Sequence, residues 1–169
     1  MKAIYFILTS ITIIAMTAFS NGHKLSVTST AFTNNGMIPS KYSCEGTEVS
    51  PPLYISAAPA SAKSLALIVH DPDSPMAGGM THWVMWNIDL NGNIPEGYKG
   101  AMQGLNGKRK TGYIGMCPPS GTHHYNFKAY ALDVALNIDK NTDEAGLEKA
   151  MEGHIVGMGE LTGLYKKVK

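Results

Sequence analysis

Apolar and polar residues alternate along part of the chain, and this pattern is typical of half-buried β-strands. The alternation is clear in residues 25–29, Leu-Ser-Val-Thr-Ser. Residues 65–69 are continuously apolar instead, which predicts a buried strand. Across the whole chain, these patterns predict strands at residues 25–29, 53–55, 64–70, 82–87, 125–133 and 160–165.

Two further segments lack the strand pattern. Residues 90–117 contain seven glycines and little periodicity, so we expect a long loop with short extended pieces, the kind of loop that usually carries function. A helix is predicted from Thr142, its expected N-cap, to about Gly153, with Leu147, Ala150 and Met151 on one face. The resulting prediction is a mainly β domain, an antiparallel β-sandwich with Greek-key connections and one or two short C-terminal helices.

Length and charge narrow the functional classes. The 169 residues fit one domain with a sizeable core, and the 18 glycines and 9 prolines indicate many turns. The formal net charge is +1, whereas a nucleic-acid binder normally has a basic face. We therefore expect no nucleic-acid partner.

The first twenty residues resemble a secretory signal peptide. Lys2 is their only charge, an apolar stretch follows it, and Ala18 and Ser20 are small residues at positions −3 and −1 of a cleavage site. The stretch is shorter than the ~20 residues of a transmembrane helix, so we expect cleavage and no stable membrane insertion. The prediction is a signal peptide at residues 1–20 and a periplasmic or secreted mature domain at residues 21–169. Removing Lys2 leaves 13 basic and 13 acidic residues.

Cys44 and Cys117 are the two cysteines of the chain, and both lie in turn-rich segments. In an exported protein such a pair predicts one disulfide. The alternative is a reactive thiol at Cys117, although no Lys, Arg or helix start clearly lies beside it. A disulfide closing so long a loop stabilises a fold by roughly 4 kcal/mol in the chain-entropy model.

Polar residues gather where strands end, which is where a binding pocket is expected. Asp71 and Asp73 follow the buried strand, and for them a simple turn is the alternative interpretation. His82 precedes another strand, where a hydrogen-bonded core histidine is the alternative. Because strand side chains alternate, His123 and Tyr125 share one face, and the histidine between them points away.

Three chemistries fit this set of residues. A metal would use His82, His123, Asp71 and Asp73, but their spacing is not a compact metal motif, so no metal site is predicted. A hydrolase needs an activated nucleophile, and there is no Gly-x-Ser-x-Gly motif. Anion binding uses donors from His82, His123, Tyr125 and the backbone of residues 115–117, with Asp71 fixing a histidine tautomer and raising its pKa.

Several blocks of the chain resemble a known family. The blocks are Ser-Pro-Pro-Leu at 50–53, Asp-Pro-Asp-Ser-Pro at 71–75, His-Trp at 82–83 with Asn87, Gly-Met-Cys-Pro-Pro at 115–119 and Thr-His-His-Tyr at 122–125. Together they resemble the phosphatidylethanolamine-binding protein family, which includes the Raf kinase inhibitor proteins, and in particular its bacterial YbhB/YbcL type. The resemblance runs from about Leu25 to the C-terminus.

The resemblance implies a β-sandwich with a small pocket for phosphate-type head groups at one end. It also implies a binding or inhibitory protein, with neither a catalytic residue nor a cofactor, and with a kinase or protease as a possible protein partner. Two departures concern the pocket rim: residues 76–81 form a short segment, and the tryptophan pair that often precedes the histidine is absent. A hydrolase or metal-assisted enzyme remains the alternative. The implied ligand-binding residues are Asp71, Asp73, Pro75, His82, Gly115, Pro118, His123 and Tyr125.

Overall fold

A computed structural model describes residues 23–168 of the chain. The predicted signal peptide, residues 1–20, and its cleavage site lie outside these residues. Within them the chain forms ten strands, one α-helix and a short 3-10 helix at Ser40–Tyr42. The elements are β1 (His23–Lys24), β2 (Ser26–Thr28), β3 (Gly36–Met37), β4 (Leu53–Ser56), β5 (Ser64–Asp71), β6 (Met80–Ile88), β7 (Asn93–Ile94), β8 (Met102–Gln103), β9 (Thr122–Leu132), α1 (Glu144–Met151) and β10 (Ile155–Lys166).

The strands form a large sheet and a small one. In the described chain the large sheet has the order β1-β10-β9-β5-β6-β8, with β3 also paired to β10, and the small sheet has the order β2-β4-β7. β5, β6 and β8 are neighbours in the sheet in the order in which they occur in the chain, and β9 then pairs with the other edge of β5. This order is a Greek-key arrangement. The mainly β prediction is confirmed. β1 and β3 pair with β10 in parallel, so the large sheet is mixed rather than wholly antiparallel.

Both faces of the large sheet are covered. Towards the small sheet, Leu67, Trp83 and Phe127 belong to one buried cluster together with Ile55 of β4. On the other face, Ile68, Val84 and Trp86 pack in a second cluster with Leu147 and Met151 of α1. This double coverage explains why residues 65–69 are apolar without alternation. No helix among residues 23–168 has the length and apolar character needed to cross a membrane.

The observed elements extend some predicted boundaries. β6 and β9 begin before the predicted residues 82 and 125, and β10 begins at Ile155 rather than near residue 160. The predicted helix is present, but its N-cap is Asp143, whose Oδ1 accepts a hydrogen bond from the Gly146 N–H at 3.2 Å. The prediction of Thr142 as the cap was therefore wrong by one residue.

Candidate functional site

Three strands bring their ends together at one edge of the large sheet. β5 lies between β6 and β9 and runs antiparallel to both, so the end of β5 meets the starts of β6 and β9. Asp71, His82 and His123 lie at these ends and border a cavity of about 200 Å³. We call it the strand-end cavity, and its lining residues are Asp71, Ser74, Met80, His82, Lys108, Gly115, Cys117, Pro118, Pro119 and His123.

Asp71 holds His123 in a fixed orientation. Its carboxylate is 3 % exposed, and Oδ2 accepts a hydrogen bond from His123 Nδ1 at 2.8 Å. Its Oδ1 accepts the backbone N–H of Asp73 at 2.9 Å, which shapes the turn after β5. Because the carboxylate accepts from Nδ1, the proton of a neutral His123 ring lies on that nitrogen, and Nε2 remains for a ligand.

A β-bulge aims His82 into the cavity. Trp83 pairs with Val69 and Thr81 pairs with His70, which leaves His82 as an extra residue of β6. Simple alternation from Val84, on the helix-facing side, would send His82 to that side as well. The extra residue reverses the alternation, and the His82 ring instead meets the Tyr125 ring edge-on with centroids 5.2 Å apart.

The hydrogen bonds of His82 determine what its ring offers a ligand. Nδ1 donates to the backbone carbonyl of Ile114 at 2.9 Å, and a carbonyl can only accept. Burial lowers the pKa of His82, although the hydrogen bond to Ile114 and the charge of Asp71 oppose this shift. The neutral ring therefore presents Nε2 as a hydrogen-bond acceptor. The hydrogen bond to Ile114 favours an acceptor role for His82, in place of the donor role that the sequence predicts.

Tyr125 packs against both histidines behind the cavity wall. Its ring is stacked with that of His123 at a centroid distance of 6.5 Å and is fully buried. Burial raises the pKa of Tyr125, and the Asp71 carboxylate raises it further, so the phenol keeps its proton. In the described chain three buried side-chain atoms lack a hydrogen-bond partner: His82 Nε2, Tyr125 Oη and Trp86 Nε1. Two of the three belong to this ring cluster, and such orphaned atoms require an explanation.

The segment from Ile114 to Pro119 forms one wall of the strand-end cavity. Cys117 is joined to Cys44 by a disulfide with the Cα atoms 5.4 Å apart, so the predicted pairing is present in the structure. The Cys44 N–H also donates to the Met116 carbonyl at 3.1 Å. A Cβ on Gly115 would lie 2.8 Å from the backbone carbon of Ser43, so this close approach requires glycine.

Asp73, Pro75 and Tyr125 were also predicted to bind the ligand, and none of them lines the cavity. Asp73 Oδ2 accepts hydrogen bonds from the backbone N–H and the Nδ1 of His124, both at 2.7 Å. These bonds lower the pKa of Asp73. His124 itself is exposed, whereas His123 is buried, which confirms the predicted alternation along β9.

Lys108 is a lining residue that the sequence reasoning missed. A turn at residues 106–110 presents it, and the buried Asn106 organises that turn by accepting the N–H groups of Lys108 and Lys110 at 3.0 and 3.2 Å. The Gly107 N–H donates to the Thr81 carbonyl at 2.8 Å and ties the turn to β6. The basic run at residues 108–110, within a loop already predicted to be functional, was the available signal.

A larger groove, about 400 Å³ in volume, lies on the helix-facing side of the same sheet edge. Four of its ionisable residues form two pairs: His70 bonds to Glu144 and Arg109 bonds to Asp143, both at 2.9 Å. Ion pairs of this kind are satisfied without a ligand, whereas His82, which lines the strand-end cavity, has a buried Nε2 without a hydrogen-bond partner. Across residues 23–168, no group of three or more His, Cys, Asp or Glu side chains is arranged to hold a metal ion.

Comparisons with known proteins agree with the fold and the sequence blocks. Residues 28–166 match the family model described as phosphatidylethanolamine-binding protein. A UPF0098 protein of Pyrococcus horikoshii is 44% identical over 174 residues, covering 95% of this chain and 87% of the relative. The crystal structure of a phosphatidylethanolamine-binding protein homologue from Chlamydia trachomatis has a TM-score of 0.82 and 44% identity, covering 86% of this chain and 99% of that chain. Escherichia coli YbcL, described as a new member of the mammalian family, has a TM-score of 0.78 and 31% identity, covering 85% and 99%.

Proposed function

The chain belongs to the phosphatidylethanolamine-binding protein family, and from that premise we propose that its strand-end cavity binds a small phosphate-type anion. The observation that carries the proposal is the buried Nε2 of His82, which has no hydrogen-bond partner in a residue that lines the cavity together with Lys108. A bound phosphate group would give the His82 nitrogen a hydrogen-bond partner and would pair with the lysine. Inorganic phosphate and phosphoethanolamine are the ligands to test first.

Binding fits the contacts of the cavity better than hydrolysis does. A hydrolase of this kind needs an activated hydroxyl or thiol. The sulfur of Cys117 is held in the disulfide, and the hydroxyl of Ser74 accepts the Met76 N–H at 3.4 Å. Among the residues lining the cavity, neither of these atoms is bonded to a histidine that would activate it. We therefore propose a binding or inhibitory protein, and a hydrolase is the alternative that an activity screen would detect.

The proposal extends to the compartment and to a partner. The signal-like residues 1–20 support export to the periplasm or the medium, where the ligand would be met. A protein partner of the kinase or protease type follows from the family alone. A kinase in the cytosol of the same cell is not available to an exported protein, which leaves targets outside the cytosol.

Calorimetric titration of His123→Ala and His124→Ala with phosphate and phosphoethanolamine tests the anion site. Loss of a polar group from a buried ligand site commonly costs ~2–5 kcal/mol, so His123→Ala should weaken binding at least about tenfold. His124→Ala is the matched control because its ring lies outside the cavity, and it should change the affinity much less. Circular dichroism checks that each variant is folded. Equal losses for the two variants, or no binding by the unaltered protein, would overturn the proposal.

A further inference from the structure

We propose that the strand-end cavity selects ligands that carry a hydrogen on a phosphate oxygen. Such ligands are hydrogen phosphate and phosphate monoesters, and the cavity discriminates against sulfate and phosphodiesters. The inference rests on the proposed anion site and deepens it. The geometry behind it is that His82 lines the cavity and its Nδ1 donates to the Ile114 carbonyl, which leaves the buried, unpartnered Nε2 to accept a hydrogen bond from the ligand.

The acceptor character of His82 is fixed by its surroundings. The residue is 2 % exposed and is bonded to Ile114 twice. Its Nδ1 donates to the Ile114 carbonyl, and its own backbone carbonyl accepts the Ile114 N–H at 3.0 Å. The charged groups that act on the ring are Asp71, which favours its protonation, and His70 and Lys108, which oppose it. Burial is the largest influence and lowers the pKa of His82, so the ring stays neutral and Nε2 stays unprotonated.

The remaining groups of the cavity suit the other oxygens of the same phosphate. Lys108 supplies a positive charge at the wall, where it can pair with an unprotonated oxygen. A cavity of about 200 Å³ is smaller than the ~300–1,000 Å³ of ordinary ligand pockets, which suits one phosphate group with a short substituent.

Ligand protonation then decides affinity. A phosphate monoester loses its second proton near pH 6, so close to neutral pH a sizeable fraction still carries a P–O–H group that can donate to His82. Sulfate and phosphodiesters carry no such proton, and their oxygens would place lone pairs against the lone pair of Nε2. Leaving a buried acceptor unpaired in this way is costly enough to lower affinity by about tenfold or more.

The first test is titration of the unaltered mature protein at about pH 6.5, where both protonation states of a monoester are populated. The probes are inorganic phosphate, sulfate, phosphoethanolamine and glycerophosphoethanolamine, the last being a diester with the same amine. We expect the two phosphates with a P–O–H group to bind at least about tenfold more tightly than sulfate and the diester. Equal binding of all four would overturn the selectivity while leaving the anion site intact. Failure of all four to bind would overturn both proposals.

A second measurement does not depend on any substitution. Nitrogen-15 NMR of the imidazole rings distinguishes protonated from unprotonated nitrogens, and we expect His82 Nε2 to be unprotonated in the free and the phosphate-bound protein. A protonated Nε2 in the bound protein would overturn the proposal. His82→Phe keeps a ring without the acceptor, and in folded protein it should lose the preference for phosphate over sulfate, whereas His124→Ala should keep it.

Vesicle binding distinguishes a lipid from a soluble source of the same chemistry. Phosphatidic acid has a monoester head group, whereas phosphatidylethanolamine has a diester head group. If the ligand is a lipid, vesicles with phosphatidic acid should compete with soluble phosphate and vesicles with phosphatidylethanolamine should not. Competition by soluble monoesters alone identifies a soluble ligand, and stronger competition by the diester lipid than by phosphatidic acid would contradict the selectivity.

Discussion

At the scale of single residues, the two aspartates of the turn after β5 have opposite surroundings. Asp71 is buried and bonds to the inward ring of His123, whereas Asp73 is exposed and bonds to the outward ring of His124. Each carboxylate thus has its own histidine, on opposite faces of β9. Only the buried pair lies where it can position a group for a ligand in the strand-end cavity.

Asp71→Asn should therefore weaken anion binding. The amide keeps much of the shape but loses the charge that strengthens the hydrogen bond from His123 Nδ1 and orients that ring. We expect the affinity for phosphate to fall at least about tenfold and the free energy of unfolding to fall by about 1–2 kcal/mol. Calorimetry and urea denaturation measure the two effects.

Asp73→Asn is the matched control for this change. Its pair with His124 is solvent-exposed, and exposed ion pairs contribute only about 0–1 kcal/mol. We expect little change in phosphate affinity. A loss as large as that of Asp71→Asn would mean that the turn as a whole, rather than the buried carboxylate, supports binding.

At the scale of elements, α1 is attached to the sheet edge by a polar contact. The Glu144 carboxylate at the start of α1 accepts hydrogen bonds from His70 of β5 and Thr81 of β6. The hydrogen bond to Glu144 raises the pKa of His70. Burial raises the pKa of Glu144, but the bonds from His70 and Thr81 outweigh it, and the pKa of Glu144 is lowered overall.

These shifts give the stability of the contact a defined pH window. The raised pKa of His70 adds stability below about pH 6.5, which is lost as the pH rises through the folded-state pKa. The lowered pKa of Glu144 adds stability at pH values above the ordinary pKa of a glutamate. That stability is lost as the pH falls through the pKa of Glu144 in the folded protein. Glu144→Gln should therefore lower the free energy of unfolding most at about pH 6, by about 1–2 kcal/mol, and less at about pH 9. Urea denaturation at both pH values measures this, and a loss independent of pH would contradict it.

The alternation of side chains along strands explains which site residues could be placed from the sequence. Local interruptions of that alternation explain which site residues could not be placed. The inward placement of His123 follows from the period of two along β9. The bulge at His82 adds one residue to β6, and no feature of the apolar pattern marks it. Lys108 reaches the cavity through hydrogen bonds of Asn106 within an irregular loop, where periodicity carries no information. Parallel pairing of β1 and β3 likewise depends on partners distant in sequence.

At the scale of the whole molecule, the cavity depends on segments that are far apart in the chain. The disulfide joins Cys44 to Cys117 across 73 residues and fixes the wall that holds the acceptor for His82. The order of the sequence blocks indicated the fold and which loops meet. The orientation of individual side chains, such as the ring of His82 with its acceptor nitrogen, depends on tertiary contacts that cannot be inferred from the sequence.

Export and the disulfide are tested together by producing the protein in two compartments. The full chain should yield a mature protein that begins near Asn21 and in which thiol labelling finds neither Cys44 nor Cys117 free.

A chain lacking residues 1–20, kept in a reducing cytosol and assayed with its thiols blocked, should unfold with a free energy lower by roughly 4 kcal/mol. The loss follows because the unfolded chain is no longer restricted by the cross-link between the two cysteines. A mature protein that keeps Met1 in a membrane fraction would contradict export. Equal stability of the oxidised and reduced chains would contradict the stabilising role of the disulfide.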